Sequence, residues 1–372
     1  MKCFGVAAEF NPFHEGHSYL INKAKETTGC QCCIAAMSGD FTQRGEPAVF
    51  DKWERAKTAV EQGADLVLEI PQVFACSSAP YFAKGAISVL AGLGVCDNLV
   101  FGSECGSTEE LMTASAFIDD HSEQIDKMAS VLVREGISYP KAREQAINDL
   151  NGGMGISEII SGPNDVLAVE YLRQELRGME PLAVKRTGKG HFETATELRR
   201  KLEQTDREGF ARREKLYFDL ISYKVAVTDS VELDRYAESE NGLGSKVKKE
   251  LRYAADLEEL IDRVKSKAYT RTAITRLLTH ILLGITTRDM TDGAYARVLA
   301  MNDTGAEALR TAKKNDLLTI PVVSNMTKDM EKLNDLQKRM ISFDITAGDV
   351  YNIITGKNLY MNSDHVKSPF KA

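Results

Sequence analysis

The chain has 372 residues, 43% hydrophobic and 27% charged, a composition typical of a folded globular protein rather than a disordered or fibrous one. No apolar run reaches the length of a transmembrane helix and no signal peptide is recognisable, so we expect a cytoplasmic protein. The formal net charge of −7 counts against nucleic acid as a partner, because RNA-binding proteins generally present a basic face.

The seven cysteines lie mainly in the first third of the chain. Cys30, Cys32 and Cys33 stand together, with no matching second pair and no histidine cluster beside them. This spacing favours reduced structural thiols over a zinc site, and we predict no metal held by the protein itself.

The first two hundred residues alternate short apolar runs with helical patterns. Strands are predicted over 3–8, 33–37, 66–70, 99–101 and 182–184, and helices over 17–26, 52–62, 80–93 and 165–176. Repeated strand–helix alternation predicts an α/β fold with a doubly wound parallel sheet.

A turn with two histidines follows the first predicted strand. His14 and His17 are three residues apart and can face one side of the chain, while Gly16 lets the backbone approach a ligand closely. The free N–H groups of the next helix attract anions, and imidazoles add donors for phosphate oxygens. Histidines that merely cap a surface helix are the simpler alternative, but ligands gather at strand ends in α/β folds. We therefore expect a nucleoside triphosphate to bind here.

A polar loop over 38–45 follows the second predicted strand. Arg44 can meet a carboxylate or pyrophosphate, Gln43 can orient a small polar group, and Asp40 belongs to the same loop. The alternative is a loop that only caps the next helix. Its place at the strand ends favours a role in binding a carboxylate or pyrophosphate.

Three further segments lie at predicted strand or helix ends. Gly102 ends the fourth strand, where a glycine allows a ligand near the backbone, and Asn164 starts a helix that it could simply cap. Arg186 follows the fifth strand in a stretch of cations and glycines that could clamp a triphosphate. A hydroxyl-rich helix start then offers a second phosphate cradle through Thr194, Thr196 and Arg199.

Beyond residue 203 the strand signals disappear. Helices are predicted over 213–227, 246–265, 269–283 and 326–343, with a short mixed piece at 319–323. This divides the chain into a nucleotide-binding catalytic domain, 1–203, and a mainly α-helical domain, 204–372. A basic stretch in the second domain could contact RNA through Lys248, Lys249, Lys267, Arg271 and Arg276, although charged helices are more often just solvated.

These motifs together resemble a known family. The segment 11–17 is similar to the signature of the HIGH-type nucleotidyltransferases, and 37–48, 51–56, 63–71, 101–104, 267–272 and 343–345 narrow the resemblance to the bacterial tRNA(Met) cytidine acetate ligases. The resemblance implies His14 and His17 as catalytic residues. It also implies an ATP site formed by Ala7, Ala8, Glu9, Phe10, Asn11, Pro12, Phe13, His14, Gly16, His17, Leu20, Gly102, Asn164 and Arg186.

The implied reaction activates acetate with ATP as acetyl-adenylate and acetylates the N4 amine of the wobble cytidine of elongator tRNA(Met). ATP is thus a substrate, tRNA a partner, and Mg²⁺ is expected to accompany the triphosphate. The chain departs from the family in a shorter loop at 187–193 and in Glu197, a carboxylate near a phosphate site. Two alternatives stay open: a nucleotidyltransferase acting on a small phosphorylated metabolite, and a non-catalytic RNA-binding relative.

Overall fold

The computed structural model describes residues 1–151, 155–160, 162–186, 194–360 and 364–372. Within these ranges eight strands form one mixed sheet: β1 (Cys3–Ala8), β2 (Cys32–Ser38), β3 (Leu66–Ile70), β4 (Cys96–Ser103), β5 (Glu180–Lys185), β6 (Ala296–Met301), β7 (Val322–Val323) and β8 (Phe370–Lys371).

The helices that precede β5 are α1 (Glu15–Thr28), α2 (Lys52–Glu61), α3 (Gln72–Ala75), α4 (Ala79–Leu93), α5 (Thr108–Asp120), α6 (Ser122–Arg134), α7 (Tyr139–Leu150), α8 (Ile156–Ile159) and α9 (Pro163–Leu172). Those that follow it are α10 (Ala195–Thr205), α11 (Arg207–Val227), α12 (Ser230–Leu233), α13 (Leu243–Leu251), α14 (Leu257–Val264), α15 (Arg271–Leu283), α16 (Asp303–Lys314), α17 (Met326–Asp329) and α18 (Asp335–Ile354). No helix among these is long and apolar enough to cross a membrane.

The sheet order is β5–β4–β1–β2–β3–β6–β7, and the first five strands are parallel. From β1 the chain adds β2 and then β3 on one side of that strand. It then crosses to the other side of β1, where it adds β4 and then β5. The predicted doubly wound sheet is therefore confirmed, and its strand order reverses between β1 and β4. Such a switch point leaves a crevice at the carboxyl ends of the strands, where ligands bind.

Burial on both faces explains why the strands are almost continuously apolar. On β2, Ile34 packs into the larger core with α4 and the helical half, whereas Cys33 and Ala35 pack under α1 and α2. Every residue of β2 and β3 is buried. Strands covered by helices on both sides lose the alternating polar pattern.

The prediction that strands end with the first domain is wrong. β6 runs antiparallel beside β3, β7 lies within the predicted mixed piece, and β8 from the end of the chain pairs with β6. Arg297 interrupts the apolar pattern of β6, so the pattern does not indicate a strand. The arginine is buried there because it contacts Glu69 of β3. The second half thus supplies both helices and the last three strands of the sheet.

Three parts of the helix prediction need correction. The stretch 326–343 is not one helix, because it divides into α17, a 3-10 turn over 330–332 and α18, which begins where the side chain of Asn334 accepts the N–H of Gln337. The stretch 246–265 forms two helices, α13 and α14, because the side chain of Asp256 accepts the N–H of Glu259 and starts a new helix. The region between β4 and α9, for which no element was predicted, holds four helices, α5 to α8. The predicted boundary at residue 203 falls inside α10, two residues before its end.

Candidate functional site

The switch point between β1 and β4 is occupied by the histidine turn. His14 is the N-cap of α1, with extended backbone, and the backbone N–H of Gly16 donates to its Nδ1 atom (3.0 Å). The backbone N–H of His14 in turn donates to Nδ1 of His17 (3.1 Å). The two rings stack with centroids 3.8 Å apart. The imidazoles themselves thus satisfy donors at the start of α1.

This bonding decides where each imidazole carries its proton. A ring nitrogen that accepts an N–H bond has no hydrogen, so a neutral ring that accepts at Nδ1 carries its proton on Nε2. Burial lowers the pKa of His14, and it lowers the pKa of His17 to well below the usual value, with the neighbouring His14 and Arg186 acting in the same direction. Both rings are therefore neutral near pH 7, and neither Nε2–H is bonded to any residue that the structure describes.

Two aromatic side chains pack against the histidine pair. The ring of Phe10 meets His17 edge-on at 4.9 Å, and that of Phe13 lies 5.2 Å from it. A Cβ on Gly16 would lie 2.8 Å from Cε1 of His14, so the cap bond requires glycine there. Ala7 and Ala8 end β1, and Leu20 is half-buried one turn further along α1.

The helix α10, whose start was predicted to form a second phosphate cradle, contacts the histidine turn through Arg199. Arg199 donates to the backbone carbonyl of Asn11 (2.6 Å) and to the hydroxyl of Thr196 (3.1 Å). Thr194 caps α10 together with Glu197, whose carboxylate accepts the Thr194 N–H (2.7 Å) and hydroxyl (2.9 Å). The carboxylate of Glu197 is thus tied into the cap of its own helix, a favourable place for a negative charge.

The ends of β4 and α9 bind each other reciprocally. Glu104 accepts the N–H groups of Asn164 and Asp165 (both 3.1 Å), while the buried Asp165 accepts those of Glu104 (3.0 Å) and Cys105 (3.1 Å). Arg186 follows β5, with its Nε atom 3.7 Å from Glu104, and its side chain lies over Gly102. Gly102, Asn164 and Arg186 are therefore brought together, with the guanidinium half-exposed.

The loop over 38–45 is only partly placed as predicted. The N–H of Gln43 donates to Glu9 (2.8 Å) and its amide nitrogen donates to the Ser77 carbonyl (3.0 Å), so its side chain is already committed. Arg44 is exposed, and its guanidinium makes no hydrogen bond or ion pair with any of the described residues. Asp40 contradicts the expectation, because it is buried and accepts the N–H of Lys52 (2.9 Å) instead of facing a ligand.

Arg55 is a site-organising residue that the sequence reasoning missed. It is buried and donates to the carbonyls of Glu9 (2.5 Å), Phe50 (3.0 Å) and Ser38 (3.2 Å), and also to that of Gly39. One guanidinium thus joins the chain segments leaving β1 and β2. The available signal was an arginine next to Ala56 and three residues after Lys52 on the buried face of α2, since a buried guanidinium needs several acceptors.

The basic stretch divides into engaged and exposed cations. Lys248 donates to the Thr228 carbonyl, Arg271 pairs with Glu258, and Arg276 pairs with Glu238. Lys249 and Lys267 are exposed. The shortened loop at 187–193 lies outside the described residues. Among the residues that are described, no group of three or more His, Cys, Asp or Glu could hold a metal ion.

The arrangement fits a polyphosphate. Two neutral Nε2–H donors, the N-terminus of α1 and the guanidiniums of Arg186 and Arg199 surround one crevice, and together they can neutralise charge as it moves between phosphate oxygens. Phosphoryl-type transfer needs such positioning more than a covalent nucleophile.

Comparison with known proteins agrees with this geometry. Residues 1–365 match the family model for the HIGH Nucleotidyl Transferase. The tRNA(Met) cytidine acetate ligase of Clostridium perfringens is 32% identical, with 99% of each chain covered, and that of Anoxybacillus flavithermus is 34% identical, covering 87% of this chain and 89% of its own. The crystal structure of Thermotoga maritima TmcAL bound with alpha-thio ATP superposes over 100% of both chains, with a TM-score of 0.90 and 28% identity.

Proposed function

Since this chain belongs to the HIGH nucleotidyltransferases and, within them, to the tRNA(Met) cytidine acetate ligase family, we propose that it joins acetate to a tRNA cytidine at the expense of ATP, in the crevice between β1 and β4. The observation that carries the proposal is the convergence of the histidine pair, Arg199 and the Glu104–Asn164–Arg186 group at this switch point. The structural relative holds an ATP analogue, which supports ATP as the nucleotide.

The first step forms an acyl-adenylate. An acetate oxygen bonds to the α-phosphorus of ATP, the bond from that phosphorus to the bridging oxygen breaks, and pyrophosphate leaves. His14 and His17 donate from Nε2 to the phosphate oxygens that gain charge, assisted by Arg186 and Arg199. Gly102 and Asn164 line the nucleotide side of the crevice.

The second step transfers the acetyl group to RNA. The N4 amine of the cytidine attacks the acetyl carbon, AMP leaves with the bonding electrons, and the amine loses one proton. Arg44 is the residue of the 38–45 loop that is left to meet acetate or pyrophosphate, because Gln43 and Asp40 are bonded elsewhere. The exposed Lys249 and Lys267 are candidates for contacts with the RNA backbone.

Mg²⁺ belongs to this proposal only as an ion brought by the triphosphate, since the described residues offer no metal-binding cluster. A cytoplasmic location, where ATP and tRNA meet, completes the proposal.

The test is transfer of radiolabelled acetate to bacterial tRNA in the presence of ATP, with acetate-dependent ATP–pyrophosphate exchange measured in parallel. The wild type is expected to label tRNA as N4-acetylcytidine, and His17→Ala to lower the exchange rate by about 100-fold or more. The control is His121→Ala, because His121 lies between α5 and α6, away from the crevice. This variant should behave as wild type. ATP–pyrophosphate exchange without labelling of tRNA would contradict the proposal that tRNA is the acetyl acceptor. Absence of exchange would contradict the proposal that the protein is an enzyme of this kind.

A further inference from the structure

The helical half carries a groove that the catalytic crevice does not include. It lies between the C-terminal part of α11 and the end of α13 and has a volume of about 410 Å³. Phe218, Ser222 and Ala226, each one helical turn from the next, form one wall. The other wall is formed by Lys248, Leu251, Arg252 and Ala254.

Exposed aromatic and aliphatic residues are neighbours in the chain of the residues that line this groove. Tyr223 follows Ser222 and is 69% exposed, while Tyr253 lies between Arg252 and Ala254 and is 63% exposed. Val227 and Val231 at the junction of α11 and α12 are exposed to a similar extent. Clustered apolar exposure of this kind marks an interaction surface more often than chance.

The charge of the same surface is opposite to that of the whole chain. Segments 222–231 and 245–254 contain five cations and two anions, hence a formal charge of +3, whereas the chain carries −7. Lys246 and Lys248 are held by the carbonyls of Val264 and Thr228, so these contacts orient the ammonium groups without neutralising them. Lys249 and Arg252 are exposed. The surface is therefore complementary to a polyanion.

The groove is within reach of the catalytic crevice along one rigid helix. Near the start of α11, Arg213 donates to the Val49 carbonyl (3.1 Å), and the N–H of Val49 donates to Asn11 in the histidine turn (2.8 Å). Ser222 comes nine residues later, which corresponds to roughly 13 Å along the helix axis. An RNA strand that places one base in the crevice can therefore lay a nearby nucleotide over the groove.

We infer that this groove is a stacking platform for an unpaired nucleotide of the tRNA, with Tyr223 and Tyr253 against the base and Arg252 and Lys249 against the phosphates. Single-stranded RNA is held by aromatic faces beside cations, which is the composition found here. A second copy of this chain fits less well, because a two-fold contact would bring the same positive surface against itself. The inference rests on the proposed function, since it assumes that RNA is a substrate.

The test compares the variant Tyr223→Ala/Tyr253→Ala with Tyr223→Phe/Tyr253→Phe. Tyr360→Ala is the matched control, because Tyr360 is 72% exposed and belongs to a different part of the surface. For each protein we measure the Kd of a tRNA(Met) transcript by fluorescence polarisation, the KM for that tRNA in acetylation, and acetate-dependent ATP–pyrophosphate exchange. The alanine pair should raise the Kd and KM for tRNA by about tenfold or more and leave exchange within about twofold of wild type. The phenylalanine pair should keep wild-type values, since the stacking face is retained.

The inference is overturned if the alanine pair binds the transcript as tightly as wild type, or if it loses self-association while its affinity for tRNA is unchanged. The latter result would assign the groove to a second copy of the chain. A wild-type protein that shows neither exchange nor labelling would refute the proposed function instead. In that case the Kd for the tRNA transcript still tests the role of the groove, because binding needs no catalysis.

Discussion

At the scale of single residues, the histidine turn shows how a fold fixes a tautomer. His14 and His17 use their Nδ1 atoms to accept backbone N–H groups, so the helix start and the proton position are set by the same two bonds. A histidine free to rotate would present either nitrogen to a phosphate. Here the donor atom is chosen before any ligand binds, which lowers the reorganisation needed in the reaction.

We therefore expect both imidazoles to be neutral Nε2–H tautomers from pH 8 down to at least 6.5. Burial lowers the pKa of His14 and lowers that of His17 further, so each ring becomes protonated at a lower pH than a free histidine. The ¹⁵N chemical shifts of the rings measure this directly, with His14→Gln and His17→Gln for assignment. Titration of either ring at or above pH 6.5 would contradict the geometry.

Arg55 yields a second prediction at this scale. Arg55→Lys keeps the positive charge, but three donors on one nitrogen cannot reach the four carbonyls that the guanidinium now bonds. The buried carbonyls left without donors should lower the free energy of unfolding by about 2–4 kcal/mol and reduce exchange activity, as the ends of β1 and β2 separate. Urea denaturation measures the loss. Arg200→Lys, on the exposed side of α10, is the control, and equal stability of the two variants would refute the assignment.

At the scale of secondary-structure elements, the 38–45 loop is fixed against the helical half. Gly45 has a φ of +75°, and a Cβ placed there would lie 2.2 Å from the backbone nitrogen of Arg276 on α15. The Thr279 hydroxyl donates to the Gly45 carbonyl (3.0 Å) and that of Thr275 donates to the Arg44 carbonyl (2.5 Å). The loop that presents Arg44 therefore depends on α15 for its position.

Gly45→Ala is expected to separate loop and helix. Gly242→Ala is a matched control, because Gly242 has a similar φ of +78° but nothing within 4 Å of the added Cβ. In the control, the free energy of unfolding should fall by about 1 kcal/mol, because only the conformational preference of glycine is lost. In Gly45→Ala it should fall by at least ~2 kcal/mol more, and the KM for acetate should rise. Thermal unfolding and exchange kinetics measure both effects. Equal losses in the two variants would show that the close approach has no consequence.

Some of the strands and helices could be predicted from the sequence and others could not. The five parallel strands, the histidine turn and the helices that cover it follow from local patterns, because each strand contains an apolar run and the first two helices carry clear N-caps. The break after α13 was readable in Asp256 and Glu259, a capping pair that the charge-rich context obscured. The β6 strand was not readable, since the partners that explain the buried Arg297 are distant in the chain: Glu69, more than two hundred residues away, and Asp364.

At the scale of the whole molecule, a buried charge cluster joins the two halves. Lys52 of α2 contacts Glu69 of β3 (2.8 Å) and Asp364 of the C-terminal segment (3.0 Å), and Arg297 of β6 contacts both of these carboxylates. Asp344 of α18 lies at its edge and accepts the N–H of Gln72 (2.8 Å). Asp40 lies 3.9 Å from Lys52 as well, so four carboxylates face two cations and carboxylates are in excess. Removing a partner from such a cluster is far costlier than its net contribution implies.

This excess makes stability depend on pH. Burial raises the pKa of Glu69 to about 8 and that of Asp344 to about 6, above their values in the unfolded chain. Raised carboxyl pKa values mean that the folded state binds more protons, so the stabilisation is present at low pH and is lost as pH rises toward 8. Between pH 5.5 and 8 we expect the free energy of unfolding to fall by about 1–3 kcal/mol.

Glu69→Gln should remove most of that dependence, because the amide cannot titrate and mimics the protonated acid. Denaturation at the two pH values measures the difference, with Glu26→Gln on the exposed side of α1 as the control. A Glu69→Gln protein that loses stability with pH as steeply as wild type would place the titrating group elsewhere.

The position of β6 between β3 and β7 has a consequence for biosynthesis. β3 ends at residue 70 and its neighbour in the sheet begins at residue 296, so a ribosome makes the two strands with more than two hundred residues between them. At ordinary rates of translation this takes on the order of 10–45 s. Throughout that time the nascent catalytic half exposes one bare strand edge, and the carboxylate of Glu69 lacks its contact with Arg297. Ribosome-bound chains stalled before residue 296 should therefore be cut by proteases that spare the finished protein, and the enzyme can become active only after nearly its whole length has been made.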